Sequence, residues 1–224
     1  MRRRFFLSLL PGALAAAQTP IPAGEIAAER RAKVPGVLSL RARRRAAGAA
    51  PRVYETALQW DAAKTAIIVC DMWDTHTCNL SAQRVSVMAP RMNEVLTAAR
   101  SLGVTIIHAP SDTMQFYEGT PGRLRMQRAP QAPSPVPVLL RTARDAEEAR
   151  NFPIDDSAGG CDDPVVRKWT GPYPWKRQHP AIDIAGFDGI SDNGPEIYNF
   201  CKQEGIGNIA LMGVHTNICI LNRG

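Results

Sequence analysis

The sequence predicts an α/β protein built on a mainly parallel sheet. Two patterns and one bound carry that reading. Short apolar, β-branched runs without polar alternation occur at Thr65–Cys70, Val104–His108 and Ile209–Met212, as strands buried on both faces read. Segments with apolar residues at helical spacing alternate with them, as parallel strands require. The chain is 224 residues long and 45% hydrophobic, enough for one large domain or two small ones with a real core. That excludes disordered, collagen-like and coiled-coil classes.

Taken in order, residues 1–17 read MRRRFFLSLLPGALAAA, a basic start, a short apolar run and Ala15-Ala16-Ala17 before Gln18. This reads as an export signal with an A-x-A cleavage site. Arg3-Arg4 before Phe5-Phe6-Leu7 also resembles a twin-arginine signal. The expected location is therefore periplasmic or secreted. Residues 18–60 form a basic arm, rich in Ala, Arg and Pro, expected to be solvated or a loosely docked helix. The domain proper spans 61–224.

Strand 65–70 ends at Asp71. A helix is predicted over 84–102, with Val87, Met88, Met92, Val95, Leu96 and Ala99 inward and Gly103 past its end. Strand 104–108 completes a βαβ unit. Residues 110–175 hold many prolines and read as a long insertion or lid, with a helical turn over 142–151. A strand is predicted at 181–184, a helix at 194–204 with Ile197, Phe200 and Cys201 inward, and Gly205 as its cap. Strand 209–212 then runs into Gly213-Val214-His215-Thr216-Asn217-Ile218-Cys219.

The formal charge of +6 falls to +3 once Arg2, Arg3 and Arg4 leave with the signal. With no aromatic interleaving in the basic stretch, no nucleic-acid partner is expected. No run of eighteen apolar residues is present, so no stable membrane span is expected. The five cysteines match no zinc-ribbon or C-x-x-C spacing, and their odd number leaves at least one outside any intrachain pair.

In parallel α/β folds the active site lies beyond the carboxyl ends of the strands. Asp71, His108 and Cys219 fall there. A helix beginning at about Cys219 would favour thiolate over thiol and suit a nucleophile. Asp71 could accept the thiol proton and return it to a leaving group.

VCDMWD at 69–74 and GVHTNICI at 213–220 resemble the isochorismatase-like cysteine hydrolase superfamily, which includes nicotinamidases and carbamoylsarcosine-type amidases. The likeness spans about 65–224. It implies a three-layer, Rossmann-like fold. It further implies Asp71 and Cys219 as catalytic residues, and a cis peptide at Val214–His215 whose amide joins that of Cys219 in an oxyanion hole. The family's lysine stands just before the helix that precedes the cysteine strand. Residues 186–188 there hold none; Lys176 is the nearest candidate and Arg177 the second. Trp73, His108 and Asn217 are expected at the substrate, with Phe116, Tyr117, Trp169, Tyr173 and Trp175 as further aromatic lining.

The expected function is hydrolysis of an amide-type C–N bond of a small molecule through a Cys219 thioester, in a homo-oligomer as the resemblance implies. One alternative is a silent secreted binding relative that lost the lysine. Another is a metal-dependent hydrolase on Asp74, His76 and His108, with Asp112 nearby. No cofactor is expected, zinc being the one metal the resemblance brings in. Because the chain stops five residues after Cys219, a C-terminal truncation is also expected.

Overall fold

The computed structural model of the protein describes residues 33–45, 52–138, 161–165 and 169–220. The expected signal at 1–17 and the helical turn at 142–151 lie outside the described residues.

Four strands form one parallel sheet: β3 (Thr65–Cys70), β4 (Thr105–Ala109), β5 (Gly189–Ile190) and β6 (Asn208–Gly213), in the order β5-β4-β3-β6. Helix α1 (Asn79–Ser101) covers one face. Its Val85, Ala89, Met92, Leu96 and Ala99 pack with Val69, Ile106 and Val104. Helix α3 (Pro121–Gln127) and helix α4 (Gly194–Glu204) cover the other, where Met126, Ile197 and Phe200 meet Ala66, Ile68 and Ile107. Helix, sheet, helix is the three-layer α/β architecture expected, because each strand is apolar on both faces.

The elements start where the local chemistry dictates. Thr120 and Asn193 cap α3 and α4, their side chains accepting from Arg123 and Glu196 amides, with Pro121 and Pro195 in the first turns. Gly205 ends α4 in the left-handed conformation, φ 65°.

Several expectations need correction. Helix α1 begins at Asn79, not at 84, and its buried stripe runs 85, 89, 92, 96, 99. Val87 is 80% exposed, and Met88 and Val95 are also exposed. The helix keeps Pro90 on its solvent side. The stretch 181–184 is a loop, not a strand. Ile182 is buried there because it joins the α1 core, and Asp183 is tied to Asn93. The β4 neighbour is instead the short β5. Within the expected insertion, α2 (Met114–Tyr117) and α3 form, and α3 is part of the core.

Over its described residues the basic arm is solvated, as one reading expected, but it is an exposed hairpin and not a docked helix. Strands β1 (Val37–Arg45) and β2 (Val53–Asp61) pair antiparallel from Val37↔Asp61 to Arg45↔Val53. The hairpin is rooted where the Ala62 amide donates to the Gly36 carbonyl at 2.9 Å. Lys33 Nζ donates to the Ala63 and Glu204 carbonyls, the latter at the end of α4. Among the described residues, no helix is long and apolar enough to cross a membrane.

Candidate active site

The β3–β6 register sets Cys70 beside Gly213, so the residues that follow meet at one sheet edge. The Val214 amide donates to the Cys70 carbonyl at 3.1 Å and fastens the two strand ends together. Gly213 has φ +133°, and a Cβ there would lie 2.0 Å from that carbonyl oxygen. Only glycine fits this crossing.

Asp71 is fully buried with φ 51°, a left-handed backbone unusual for a non-glycine residue. Its amide donates to the Ala109 carbonyl at 3.3 Å, and its Oδ1 accepts from the Ser111 amide at 2.8 Å. The carboxylate is thus held by the loop after β4. His215 lies within electrostatic reach of it. Burial pushes the His215 pKa below its ordinary value, and the Asp71 charge only partly opposes that.

The Val214–His215 peptide is cis, as the resemblance implied. A π-helical turn, Thr216–Ile220, follows and closes with the Ile220 amide on the His215 carbonyl at 3.1 Å. Cys219 lies inside that turn, half-buried and outside the disulfide. The turn begins at Thr216, three residues earlier than the helix start expected at Cys219. Asn217 falls in the same turn.

A wall of stacked rings adjoins this edge. Trp73 stacks on Trp175 at 4.3 Å, and Tyr173 on Trp175 at 4.2 Å. His76 stacks on Trp175 and meets His215 edge-on, both at 5.2 Å. Burial first, and then the neighbouring His215, lower the His76 pKa. Trp73 Nε1 donates to the Ser111 carbonyl, the residue whose amide holds Asp71. Phe116, Tyr117 and Trp169 do not join the stack. The Tyr117 hydroxyl accepts from the Gln178 amide, and Trp169 is exposed.

The segment 173–179 is laid along 72–74. Trp73 bridges Gln178, the His179 amide donates to the Met72 carbonyl, and the Lys176 amide donates to Asp74 Oδ1 at 3.0 Å. The Lys176 side chain is exposed. Arg177 lies over the Phe116 ring with Nε 3.9 Å from Asp74. Immediately before α4 the sequence is Ser191-Asp192-Asn193, without a lysine. The cation near that segment is Arg123, buried and paired with Glu196.

His108 stands apart from this edge chemistry. It is fully buried, with Nδ1 2.7 Å from Gln178 Oε1 and Nε2 3.0 Å from Asp188 Oδ2. Arg100 holds the same aspartate through Nε and Nη2. Burial raises the Asp188 pKa, but the hydrogen bonds from His108 and Arg100 outweigh it and hold the carboxylate below its ordinary range. The ring therefore serves the core and not the substrate position expected for it.

Both ring nitrogens of His108 are committed to protein oxygens, so Asp74, His76 and His108 do not fit a metal centre. Among the described residues, the three-ligand group in mutual reach is Cys78, Cys161 and Asp163, and its two cysteines form a disulfide.

Sequence reasoning missed the disulfide, the Ser111 amide, the full ring stack and the constraint at Gly213. Gly213 left a signal, as the fixed glycine that opens the cysteine segment, and the stack left a partial one, since Trp73, Tyr173 and Trp175 were expected as lining. The family model for the isochorismatase domain matches residues 65–223. No curated protein matches the chain.

Proposed function

The chain belongs to the isochorismatase family, and we propose that it is an exported cysteine hydrolase cleaving an amide-type C–N bond of a small molecule. The observation that supports this is the β3–β6 register. It sets a buried carboxylate, Asp71, at the same edge as the turn that carries Cys219.

In the proposed sequence, Asp71 takes the Cys219 thiol proton and the thiolate attacks the amide carbonyl carbon. The backbone amides of His215 and Cys219 stabilise the oxyanion. The C–N bond breaks as Asp71 protonates the leaving nitrogen. Water then attacks the thioester and gives its proton to Asp71; the acid and the thiolate are released. No step is routed through Lys176, because its side chain is exposed.

A silent binding relative is the second reading, favoured by the absence of lysine in Ser191-Asp192-Asn193. Export is supported by the residue pattern of 1–17 and by the Cys78–Cys161 disulfide, which an oxidising compartment would maintain.

The deciding experiment is the pH dependence of Cys219 alkylation by iodoacetamide, with Cys219→Ala as control. An apparent pKa well below the roughly 8.5 of a free thiol supports the nucleophile. Ordinary or absent reactivity in folded protein favours the binding relative. N-terminal sequencing of the exported form tests the signal; an intact Met1 in a cytoplasmic fraction refutes it.

A further inference from the structure

The β1–β2 hairpin is amphipathic by register. Leu38 pairs with Trp60, Leu40 with Leu58, Ala42 with Thr56 and Arg44 with Tyr54, which gives one mainly apolar face with Arg44 at its outer end. The opposite face carries Ser39 hydrogen-bonded to Gln59 and Arg43 paired with Glu55, flanked by Arg41 and Arg45, with Val37 and Val53 at its two ends. Near the root, Leu38 packs on the core. Farther out the apolar face is uncovered among the described residues: Leu40 and Tyr54 are 38% and 44% exposed. A two-stranded ribbon with an open apolar face is marginal in water and gains from a partner.

We propose that this hairpin docks on an anionic phospholipid surface. Charge selects that partner. The described arm, 33–45 and 52–61, holds Lys33, Arg41, Arg43, Arg44, Arg45 and Arg52 against Glu55 and Asp61. The other described residues hold ten Lys and Arg against twelve Asp and Glu. The positive charge is therefore concentrated on the arm and not spread over the body. Two copies packed through this face would bring their Arg44 guanidiniums together, which like-charge repulsion opposes. A nucleic acid would meet the arginines but leave the leucines in water. A lipid interface satisfies both: the apolar face enters the headgroup–acyl boundary, Tyr54 and Trp60 sit at that level, and the arginines reach phosphates. The Arg44 guanidinium already lies over the Tyr54 ring at 5.5 Å, so cation and aromatic are presented together.

The test is co-sedimentation of the full chain with vesicles of phosphatidylcholine alone and of phosphatidylcholine with phosphatidylglycerol. Binding to the anionic vesicles only, weakened by salt, is expected. The triple variant Arg41→Gln/Arg44→Gln/Arg45→Gln should weaken it on the order of 100-fold, at roughly 1 kcal/mol per arginine. Leu40→Asp should weaken it as well, while Arg91→Gln, a charge removed from α1, should leave it unchanged. No binding to anionic vesicles, equal binding to both kinds, or an unaffected triple variant would each overturn the proposal. So would a concentration-dependent dimer abolished by Leu40→Asp with no vesicle binding, which would assign the face to a second copy. Circular dichroism of each variant separates loss of docking from loss of fold.

Discussion

Gly213 and Cys70 cross so closely that a Cβ on the glycine would lie 2.0 Å from the Cys70 carbonyl oxygen. The same carbonyl accepts the Val214 amide. One point therefore fixes the end of β6 against the end of β3, and through it the distance between Asp71 and the turn of Cys219. Gly213→Ala must push the strands apart and also strains the backbone at φ +133°. The expected cost is more than about 3 kcal/mol by urea denaturation, with loss of turnover beyond what the stability loss explains. A variant of unchanged midpoint would show that the crossing does not constrain the edge.

Asp71→Asn keeps the shape of the buried side chain and removes its ability to carry a proton. The Ser111 amide can still donate to the retained carbonyl oxygen. The expected result is a fall in kcat of about 10²–10⁴ with Cys219 alkylation slowed in parallel. Turnover near that of the unaltered protein would remove Asp71 from the reaction.

Asp188 receives His108 at 3.0 Å and Arg100 at 2.7 Å while nearly buried itself. Asp188→Ala removes the carboxylate shared by the half-buried Arg100 guanidinium and the buried His108 imidazole, which keep only the Asp183 carbonyl and Gln178 respectively. Removing one partner of such a buried group costs about 3–5 kcal/mol. His108→Ala should also destabilise, by unpairing Gln178 Oε1 and Asp188. Thermal melts check both, and neither variant should change the alkylation pKa of Cys219.

The βαβ frame was legible because its strands are continuous apolar runs and α4 carries both of its caps. Asp71 and the cysteine segment were legible as strand-end residues. What failed did so for local reasons. Ile182 and Ile184 read as strand because burial alone cannot tell a strand from a loop pinned under a helix. The α1 stripe was displaced because Val87 and Val95 are apolar yet face solvent. The pairing of Cys78 with Cys161, 83 residues apart, leaves no trace in spacing. His108 looked available because a strand-end histidine does not announce that Gln178 and Asp188, some seventy and eighty residues later, will close over it.

The two histidines at the site edge predict a pH dependence. Burial lowers the folded pKa of both His76 and His215 below the ordinary value of about 6.5. As pH falls through about 6.5, the unfolded chain binds protons that the folded chain refuses. Stability is then fully present above that pH and is lost as pH falls toward the lower folded values. Urea midpoints should decline from pH 7 to pH 5, and His76→Gln should flatten the decline. A profile unchanged by that substitution would place the loss elsewhere.

The disulfide makes the last prediction. Cys78 precedes α1, and Cys161 brings Asp163 to the start of the same helix. There the Asp163 carboxylate accepts the Asn79 amide at 2.9 Å and the Leu80 amide at 2.8 Å. Cys78 has no capping side chain of its own, so the carboxylate that caps α1 arrives through the crosslink. The Cys78 amide in turn donates to His76 Nδ1 at 3.0 Å, which holds the ring that meets His215. Cys161→Ser should cost about 2–5 kcal/mol and lower the Tm by roughly 5–15 °C. Dithiothreitol should lower the Tm of the unaltered protein and leave that of Cys161→Ser where it is. Asp163→Ala, with the crosslink kept, should cost only about 1 kcal/mol, because the cap is lost and the chain remains closed. Equal losses in the two variants would mean that the crosslink acts only by delivering the cap. A Tm of the unaltered protein insensitive to reductant would mean that it adds nothing to the fold.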